Sequence, residues 1–520
     1  LAVVCFFLNK KIQRFEKVWM GGFALFLCMG LLFKPMENIW NGFRYVYSYY
    51  YRFSYVVIAG LIFIGAYMLS YGELSKKTAF TASGIIISLF LLMDGIKAFN
   101  SKYLFVTIAF VAIYPFVLVQ KRRLAALTLL SFTVVELVLN AKIMMPKIYT
   151  AEASDFSAYM QEEEQLVSAV QEYDSEFYRM EQTARRHGAV DANGSMSAGY
   201  NGIAHYTSTY DENIAKLYCA LGYSDQESVN FYKQPILPAD SLFGLKYILS
   251  ENSYAGYEAV ENIDTESSKS VWYNPYALPL AFSVSDQVTE AAEADNSFEK
   301  INRLYSNILG REIKIFEKVE FEKNIFGESI EYKIRADGTE NILYGFARSN
   351  TSNLKLYVDG NYIFYYSGWL LNYVFNIGTQ TDEHTVVFQG INEASVIHEE
   401  IYSLNMELFK ECINEIRSGA VSELSVDDGH ITAQYTADDD GRIMLTVPYS
   451  ENWRVSVNGK SVEPEVGLDT FITIPVSAGN NTVELNYHVP WLLPGIGLSF
   501  ISVAIFILLS LLRRKKHEEK

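Results

Sequence analysis

Two carboxylates interrupt apolar stretches of the 520-residue chain: Glu136 within 124–140 and Asp94 at the end of 79–93. A charged group at membrane depth is costly and counts as a functional candidate by default. Asp94 fits either an interfacial cap or a site residue. Glu136 calls for a partner, such as a cation on helices upstream of those present. A third candidate is the segment 34–53, KPMENIWNGFRYVYSYYYRF, crowded with Tyr and Trp around Arg44 and Arg52. Such rings settle at membrane interfaces, with the apolar body inward and the polar tip wet. The competing reading is a half-embedded platform on which Arg44 or Arg52, each a permanently charged fork of donors, grips a lipid-linked phosphate.

The rest of the chain offers little self-contained chemistry. Its seven histidines (His187, His205, His384, His398, His430, His488 and His517) are dispersed without metal-ligand spacing, so no metal site is expected. No Gly-rich phosphate loop follows a strand and no nucleophile elbow occurs. The run Asp438-Asp439-Asp440-Gly441 lacks the later bidentate Glu of a calcium loop and reads as a solvated turn. Cys219 and Cys412 are far apart in sequence and fit either a disulfide or two free thiols.

The elements that must position these residues begin with membrane spans. The run 491–512 holds about 22 residues without a charge, enough at 1.5 Å per residue to cross roughly 30 Å of hydrocarbon. Arg513, Arg514, Lys515 and Lys516 close it. Because Lys and Arg flanking a span stay on the cytoplasmic side, this helix is expected to run from outside to inside. Six apolar segments precede it: 1–8, 18–33, 54–71, 79–93, 103–119 and 124–140. Tight basic clusters (Lys10, Lys11, Arg14, Lys17; Lys76, Lys77; Lys121, Arg122, Arg123) mark every second loop as internal, leaving 34–53 and 94–102 outside. The chain opens inside an apolar run, and we read it as the later part of a longer membrane protein.

The segment 141–490 has a different composition. It carries 24 Lys+Arg against 53 Asp+Glu, a balance of −29, whereas the remainder stands at +12. Acidity of this size argues against nucleic acid and against lying flat on anionic lipid. A surface helix is expected over 154–183, a buried strand over 242–249, and strand, turn, strand over 271–282. Two later stretches look like distant copies: LKLYVDG (354–360), followed by strands near 373–377 and 384–389, and WRVSVNG (453–459), followed by strands near 471–475 and 481–487. Asp-Gly and Asn-Gly after an alternating strand are strong hairpin signals. Both copies therefore read as small β-sandwiches, joined by an amphipathic helix near 400–417 that presents Leu404, Leu408, Cys412 and Ile416.

The expected fold is an α-helical transmembrane bundle, a large extracytoplasmic α/β and β-sandwich region, and one C-terminal transmembrane helix. The expected divisions are 1–140 for the bundle, 141–310 for a mixed α/β domain, 311–399 and 426–489 for the β-sandwich-like domains, 400–425 for the connecting helix, 490–512 for the last span and 513–520 for a basic cytoplasmic tail.

Several stretches carry a family resemblance: Asn41-Gly42-Phe43 with Arg52-Phe53-Ser54-Tyr55, Tyr200-Asn201-Gly202-Ile203 with Ser208, 240–249 (DSLFGLKYIL), 274–282 (NPYALPLAF) and 448–459 (PYSENWRVSVNG). With them the chain resembles the YfhO-like family of bacterial integral membrane proteins, which are similar to glycosyltransferases of the GT-C fold. The resemblance implies transfer of a sugar from a polyprenyl-phosphate carrier to a cell-envelope glycopolymer such as teichoic acid. It implies membrane lipid and a lipid-linked sugar as partners, no further cofactor, and a catalytic acid in a first outer loop upstream of this chain. Asn41, Arg44, Arg52, Asp94 and Glu136 remain the substrate-binding candidates. The alternative is a non-catalytic envelope scaffold or lipid-carrier transporter whose sandwiches bind glycan.

Overall fold

The computed structural model describes residues 1–43, 51, 53–71, 74–95, 101–120, 122–147, 152–183, 193–205, 211–223, 232–263, 267–350, 354–366, 372–392, 395 and 397–518. The chain divides into two compact units, Leu1–Ala151 and Glu152–Lys520.

Long apolar runs that lack turn residues form helices because the backbone then satisfies itself within each segment. The first unit is all helix: α1 (Ala2–Leu8), α2 (Arg14–Leu32), α3 (Lys34–Trp40), α4 (Ser54–Ser70), α5 (Lys76–Gly95), α6 (Ser101–Leu118) and α7 (Arg122–Met144). Pro35 sits in the first turn of α3, where a missing N–H leaves no bond unmade. Segments 14–32 and 126–144, together with 492–512 in the second unit, are long and apolar enough to span a bilayer; 54–70 and 104–118 are shorter apolar helices. Large apolar side chains such as Ile62, Leu130 and Phe506 remain well exposed along them. Water would penalise that pattern; hydrocarbon would not.

The second unit begins with α8 (Ala153–Tyr173), β1 (Arg179–Gln182), α9 (Gly194–Ala198), α10 (Glu212–Leu221), α11 (Leu237–Leu242), β2 (Leu245–Ser250), β3 (Glu258–Ala259), β4 (Ser270–Tyr273), β5 (Ala281–Val284) and α12 (Ser297–Leu309). The surface helix expected over 154–183 is shorter. It ends at Tyr173, Asp174 turns the chain extended, and 179–182 is the strand β1, parallel to β2. The strand expected over 242–249 begins three residues later, because 237–242 is the helix α11. The segment 271–282 does give two strands, but they enter different sheets. The Asn274 side chain donates to the Leu245 carbonyl at 2.9 Å and accepts from the Tyr276 N–H at 2.9 Å, which steers the chain away from a hairpin.

Next come β6 (Phe316–Lys318), β7 (Glu322–Phe326), β8 (Ser329–Ile334), β9 (Ile342–Ser349), β10 (Leu354–Val358), β11 (Asn361–Tyr366), β12 (Asn372–Thr379), β13 (His384–Gln389), β14 (Ile397–Leu404) and α13 (Met406–Ser418). The connecting helix expected over 400–417 starts later. Residues 400–404 belong to β14, paired with β9, and the Asn405 side chain caps α13 by accepting the Leu408 N–H at 3.0 Å. Of its predicted apolar face, Cys412 and Ile416 are buried in the helix, while Leu404 is buried on the strand. Cys412 is a buried free thiol and is not bridged to Cys219.

The chain closes with β15 (Ser422–Asp427), β16 (His430–Ala437), β17 (Gly441–Pro448), β18 (Trp453–Val457), β19 (Lys460–Val462), β20 (Glu465–Gly467), β21 (Phe471–Val476), β22 (Gly479–Tyr487) and α14 (Leu492–Glu518).

Four of the sheets form two pairs. Sheet β11-β10-β13-β8-β7 faces sheet β12-β9-β14-β6, and sheet β15-β16-β22-β18-β19 faces sheet β20-β21-β17-β5. Each pair closes on its own core, around Phe375 and Phe388 in the first and Ile443, Ile474 and Leu485 in the second. A third core lies behind both, where Tyr344 and Leu404 from one pair and Phe282, Met444 and Phe471 from the other pack with Tyr305 of α12 and Phe409 of α13. Strands with two buried faces read as continuous apolar runs, and Ile443-Met444-Leu445 is one.

Candidate functional site

Of the five sequence candidates, the described side chains include two, Asn41 and Glu136. Arg44 and Arg52 lie outside the described residues, as does the side chain of Asp94 near the end of α5. Asn41 closes α3, its N–H bonded to the Glu37 carbonyl at 3.0 Å. Glu136 of α7 accepts a hydrogen bond from the hydroxyl of Tyr114 on α6.

A better-built site occurs in the second unit. A cleft of about 480 Å³ opens where residues 177–183 and 193–205 meet the second sheet pair, and Phe177, Arg179, Tyr200, Asp427, Asp428 and Trp453 are among its walls. Arg179 is fixed at the floor by strand β1. Its guanidinium donates to the Phe243 carbonyl at 2.6 Å, to Thr446 Oγ1 at 3.1 Å and to the Thr446 carbonyl at 2.9 Å. All three acceptors are neutral, and burial draws its pKa below the usual arginine value. The Phe177 ring lies 5.8 Å from the guanidinium carbon.

One wall is the loop Tyr200–His205, pinned from behind by a buried carboxylate. Glu181 Oε1 accepts the N–H groups of Ile203 and Ala204, both at 2.6 Å. Burial raises the Glu181 pKa to about 7, against the pull of those bonds. Gly202 is required here, since a Cβ would stand 2.6 Å from Glu181 Oε1 and 2.7 Å from Ser195 Cβ. Beneath the loop, Gln182 Nε2 donates to buried Glu163 at 2.6 Å, and Lys269 Nζ donates to Gln182 Oε1 at 3.1 Å. Burial also lowers the His205 pKa, which favours the neutral ring.

The opposite wall comes from the β15–β16 turn, which carries Asp427 and Asp428, and from Trp453 at the start of β18. Trp453 is half-buried, and its edge-to-face contact with Tyr487 has a centroid distance of 5.0 Å. Such a lining offers flat apolar faces, carboxylate acceptors and a fixed cation, which together suit a hydroxyl-rich ring. The four quoted stretches of the second unit converge on it. Tyr200 and Gly202, Leu280 and Trp453 line the cleft, and Phe243 accepts a bond from Arg179. Sequence reading named Trp453, Tyr200 and Gly202 as motif positions without a role and passed over Arg179, Glu181, Asp427 and Asp428. The one local signal was Asp427-Asp428-Gly429, a hairpin turn between alternating strands.

Asp240 forms a second buried centre. Its carboxylate accepts the hydroxyls of Tyr223, Tyr232 (2.6 Å) and Tyr257 (2.5 Å) and the Ile236 N–H (3.2 Å). Burial raises its pKa to about 7. Tyr223 and Tyr257 reach it from stretches other than its own, so Asp240 acts as a joint of the core.

Comparison with known proteins bears on both units. The family described as "Bacterial membrane protein YfhO" matches residues 1–499. The "Uncharacterized protein YfhO" of Bacillus subtilis (strain 168) is 27% identical over 116 residues, which cover 22% of this chain and 13% of that protein's length. Among solved structures, a conserved protein of unknown function from Pseudomonas aeruginosa PAO1 is 9% identical, with coverage of 33% of this chain and 93% of its own and a TM-score of 0.11. A β-D-glucuronidase from Dictyoglomus thermophilum is also 9% identical, with coverage of 47% and 42% and a TM-score of 0.13. Scores that low support no argument about fold or activity. The family match runs through the apolar helices, the cleft and all four sheets of the two pairs, and the chain belongs to the YfhO family of bacterial membrane proteins.

Proposed function

We propose that this chain is part of a GT-C-like membrane glycosyltransferase that moves a sugar from a polyprenyl-phosphate carrier to a cell-envelope polymer such as teichoic acid. The observation that carries the reading is the cleft. A member of a membrane-protein family presents aromatic faces and carboxylates around a fixed arginine, a lining suited to saccharide. In this reading 1–140 and 490–512 cross the cell membrane, 141–490 lies outside and 513–520 ends in the cytoplasm. Arg52, with Arg44 and Asn41 nearby in sequence, then meets the carrier phosphate at the outer interface, and Asp94 and Glu136 are carboxylates toward the outer ends of their apolar segments.

The test is transfer of radiolabel by the full-length protein in liposomes, supplied with a labelled polyprenyl-phosphate sugar and an envelope glycopolymer. Label moving to the polymer supports the reading. Label staying on the lipid, with protein shown to be folded, overturns it in favour of a non-catalytic scaffold or a lipid-carrier transporter. In the same assay Arg52→Ala raises the KM for the donor about tenfold or more, the size of one lost charge-assisted contact to phosphate. An unchanged donor KM removes Arg52 from the site.

A further inference from the structure

We infer that the cleft between residues 177–183 and 193–205 on one side and the β15–β16 and β18 edge on the other is a binding site for an uncharged saccharide. Its volume, about 480 Å³, lies within the roughly 300–1,000 Å³ of small-molecule sites. The lining is built, as the network behind it shows. Glu181 holds the Tyr200–His205 wall by two backbone bonds, Gly202 leaves room for that carboxylate, and three bonds to neutral acceptors fix Arg179. A wall held this firmly is pre-organised, which lowers the entropy cost of binding.

The chemistry selects the ligand class. Trp453 and Phe177 put apolar rings in the lining, against which the C–H surface of a pyranose can lie, excluding water from both. Asp427 and Asp428 accept hydroxyl protons, and Arg179 and Asn201 supply donors for ring and hydroxyl oxygens. Electrostatics disfavours phosphate inside the cleft. It carries two carboxylates against one guanidinium, within a segment whose balance is −29, so a phosphate group is repelled from the lining itself. A neutral ring meets no such barrier. The inference rests on the transferase reading only in one respect, that the occupant is then a sugar unit of the acceptor polymer and not its phosphate backbone.

The experiment is equilibrium binding to the full-length protein in nanodiscs, with no donor present. The probes are neutral tetrasaccharides of glucose, galactose and N-acetylglucosamine, set against a poly(glycerol phosphate) oligomer of similar length. At least one neutral probe is expected to bind saturably and tenfold or more tighter than the phosphate oligomer. Trp453→Ala is expected to weaken that binding at least tenfold, with partial recovery in Trp453→Phe. Because Trp453 also touches Tyr487, Asp428→Asn serves as the second variant: it lies at the exposed turn and is expected to weaken binding three- to tenfold with an unchanged unfolding midpoint. Three results overturn the inference: no saturable binding of any neutral probe, tighter binding of the phosphate oligomer, or neutral binding that both Trp453→Ala and Asp428→Asn leave intact. Since binding is read without turnover, a protein that binds but never transfers sinks the transferase reading alone. One that transfers while its cleft stays empty sinks the site alone.

Discussion

In the first sheet pair, the place beside β9 is taken by β14, which follows its partners in the chain and leads straight into α13. In the second pair, the corresponding place beside β17 is taken by β5, which lies far upstream, before α12 and before the whole first pair. The larger sheets match strand for strand: β11-β10-β13-β8-β7 in one and β19-β18-β22-β16-β15 in the other. The hairpins match too. Asp359-Gly360 and Asn458-Gly459 have positive φ at both turn residues (49° and 79°, 53° and 73°), as a tight two-residue hairpin with right-handed twist requires. What differs is the origin of one strand, and that changes how each pair can fold. The first can assemble from contiguous chain. The second is complete only when the α/β segment delivers β5.

The strongest way to break this comparison is to weaken β5. Phe282 is fully buried in the core behind both pairs, opposite Met444 of β17. Phe282→Ala is expected to cost about 3–5 kcal/mol. Hydrogen exchange should show the loss concentrated in β17 and β21, while β10 and β13 keep their protection. Equal loss in both pairs means that β5 supports the common core and not one pair.

The converse perturbation acts on the first pair. Gly345 of β9 lies opposite Phe375 of β12, and a Cβ there would come within 2.3 Å of the ring. Gly345→Ala should therefore cost about 1–3 kcal/mol through overpacking, with exchange changes confined to β9, β12 and β14. If β17 loosens as well, the two pairs are coupled through the shared core more tightly than their separate interiors imply.

Much of the scaffold was legible because it is encoded locally. The apolar segments became helices, and Asp-Gly and Asn-Gly became hairpins, since each depends on a few adjacent residues. Long-range choices were not legible. Nothing in Ala281-Phe282-Ser283-Val284 says which sheet it joins, because a strand buried on both faces shows no alternation to orient it. Residues 400–404 read as helix because Leu404, Leu408, Cys412 and Ile416 keep a four-residue spacing, although the first of them sits on β14. The cleft was invisible for a related reason. Arg179, Asp428 and Trp453 meet only after β1 has paired with β2 and β18 with β22, and no motif spacing records a meeting of that kind.

The core shared by the two pairs also makes a pH test available. Asp240 has its folded pKa raised by burial to about 7 from the ordinary aspartate value of 3.8. A raised carboxyl pKa means that the folded state holds the proton more tightly than the unfolded chain. The associated stability is fully present below pH 4 and is lost as pH rises through 7. The slope is at most about 1.4 kcal/mol per pH unit within that window. Asp240→Asn should flatten the dependence of the unfolding free energy between pH 4 and 7, leaving the remainder to Glu181, whose pKa is raised to about 7 in the same direction. An undiminished slope in the variant assigns the effect to other groups.

The smallest expected effect concerns the charges around β5. Arg442 of β17 pairs with Asp286, just beyond β5, at 2.9 Å and with Glu465 of β20 at 2.9 Å. This bridge looks like a clasp holding the borrowed strand, yet Asp286 is 90% exposed on its side chain. Water screens such a pair and side-chain entropy opposes it, so Asp286→Ala should cost about 0.5 kcal/mol, and less in 1 M salt, where the Debye length falls to about 3 Å. A loss approaching that of Phe282→Ala, and sensitive to salt, would make the clasp electrostatic and the sheet pairing secondary. The burial of Phe282 and Ala281 argues the reverse: the upstream strand is retained by apolar contact and ladder hydrogen bonds, and the surface charges only follow its path.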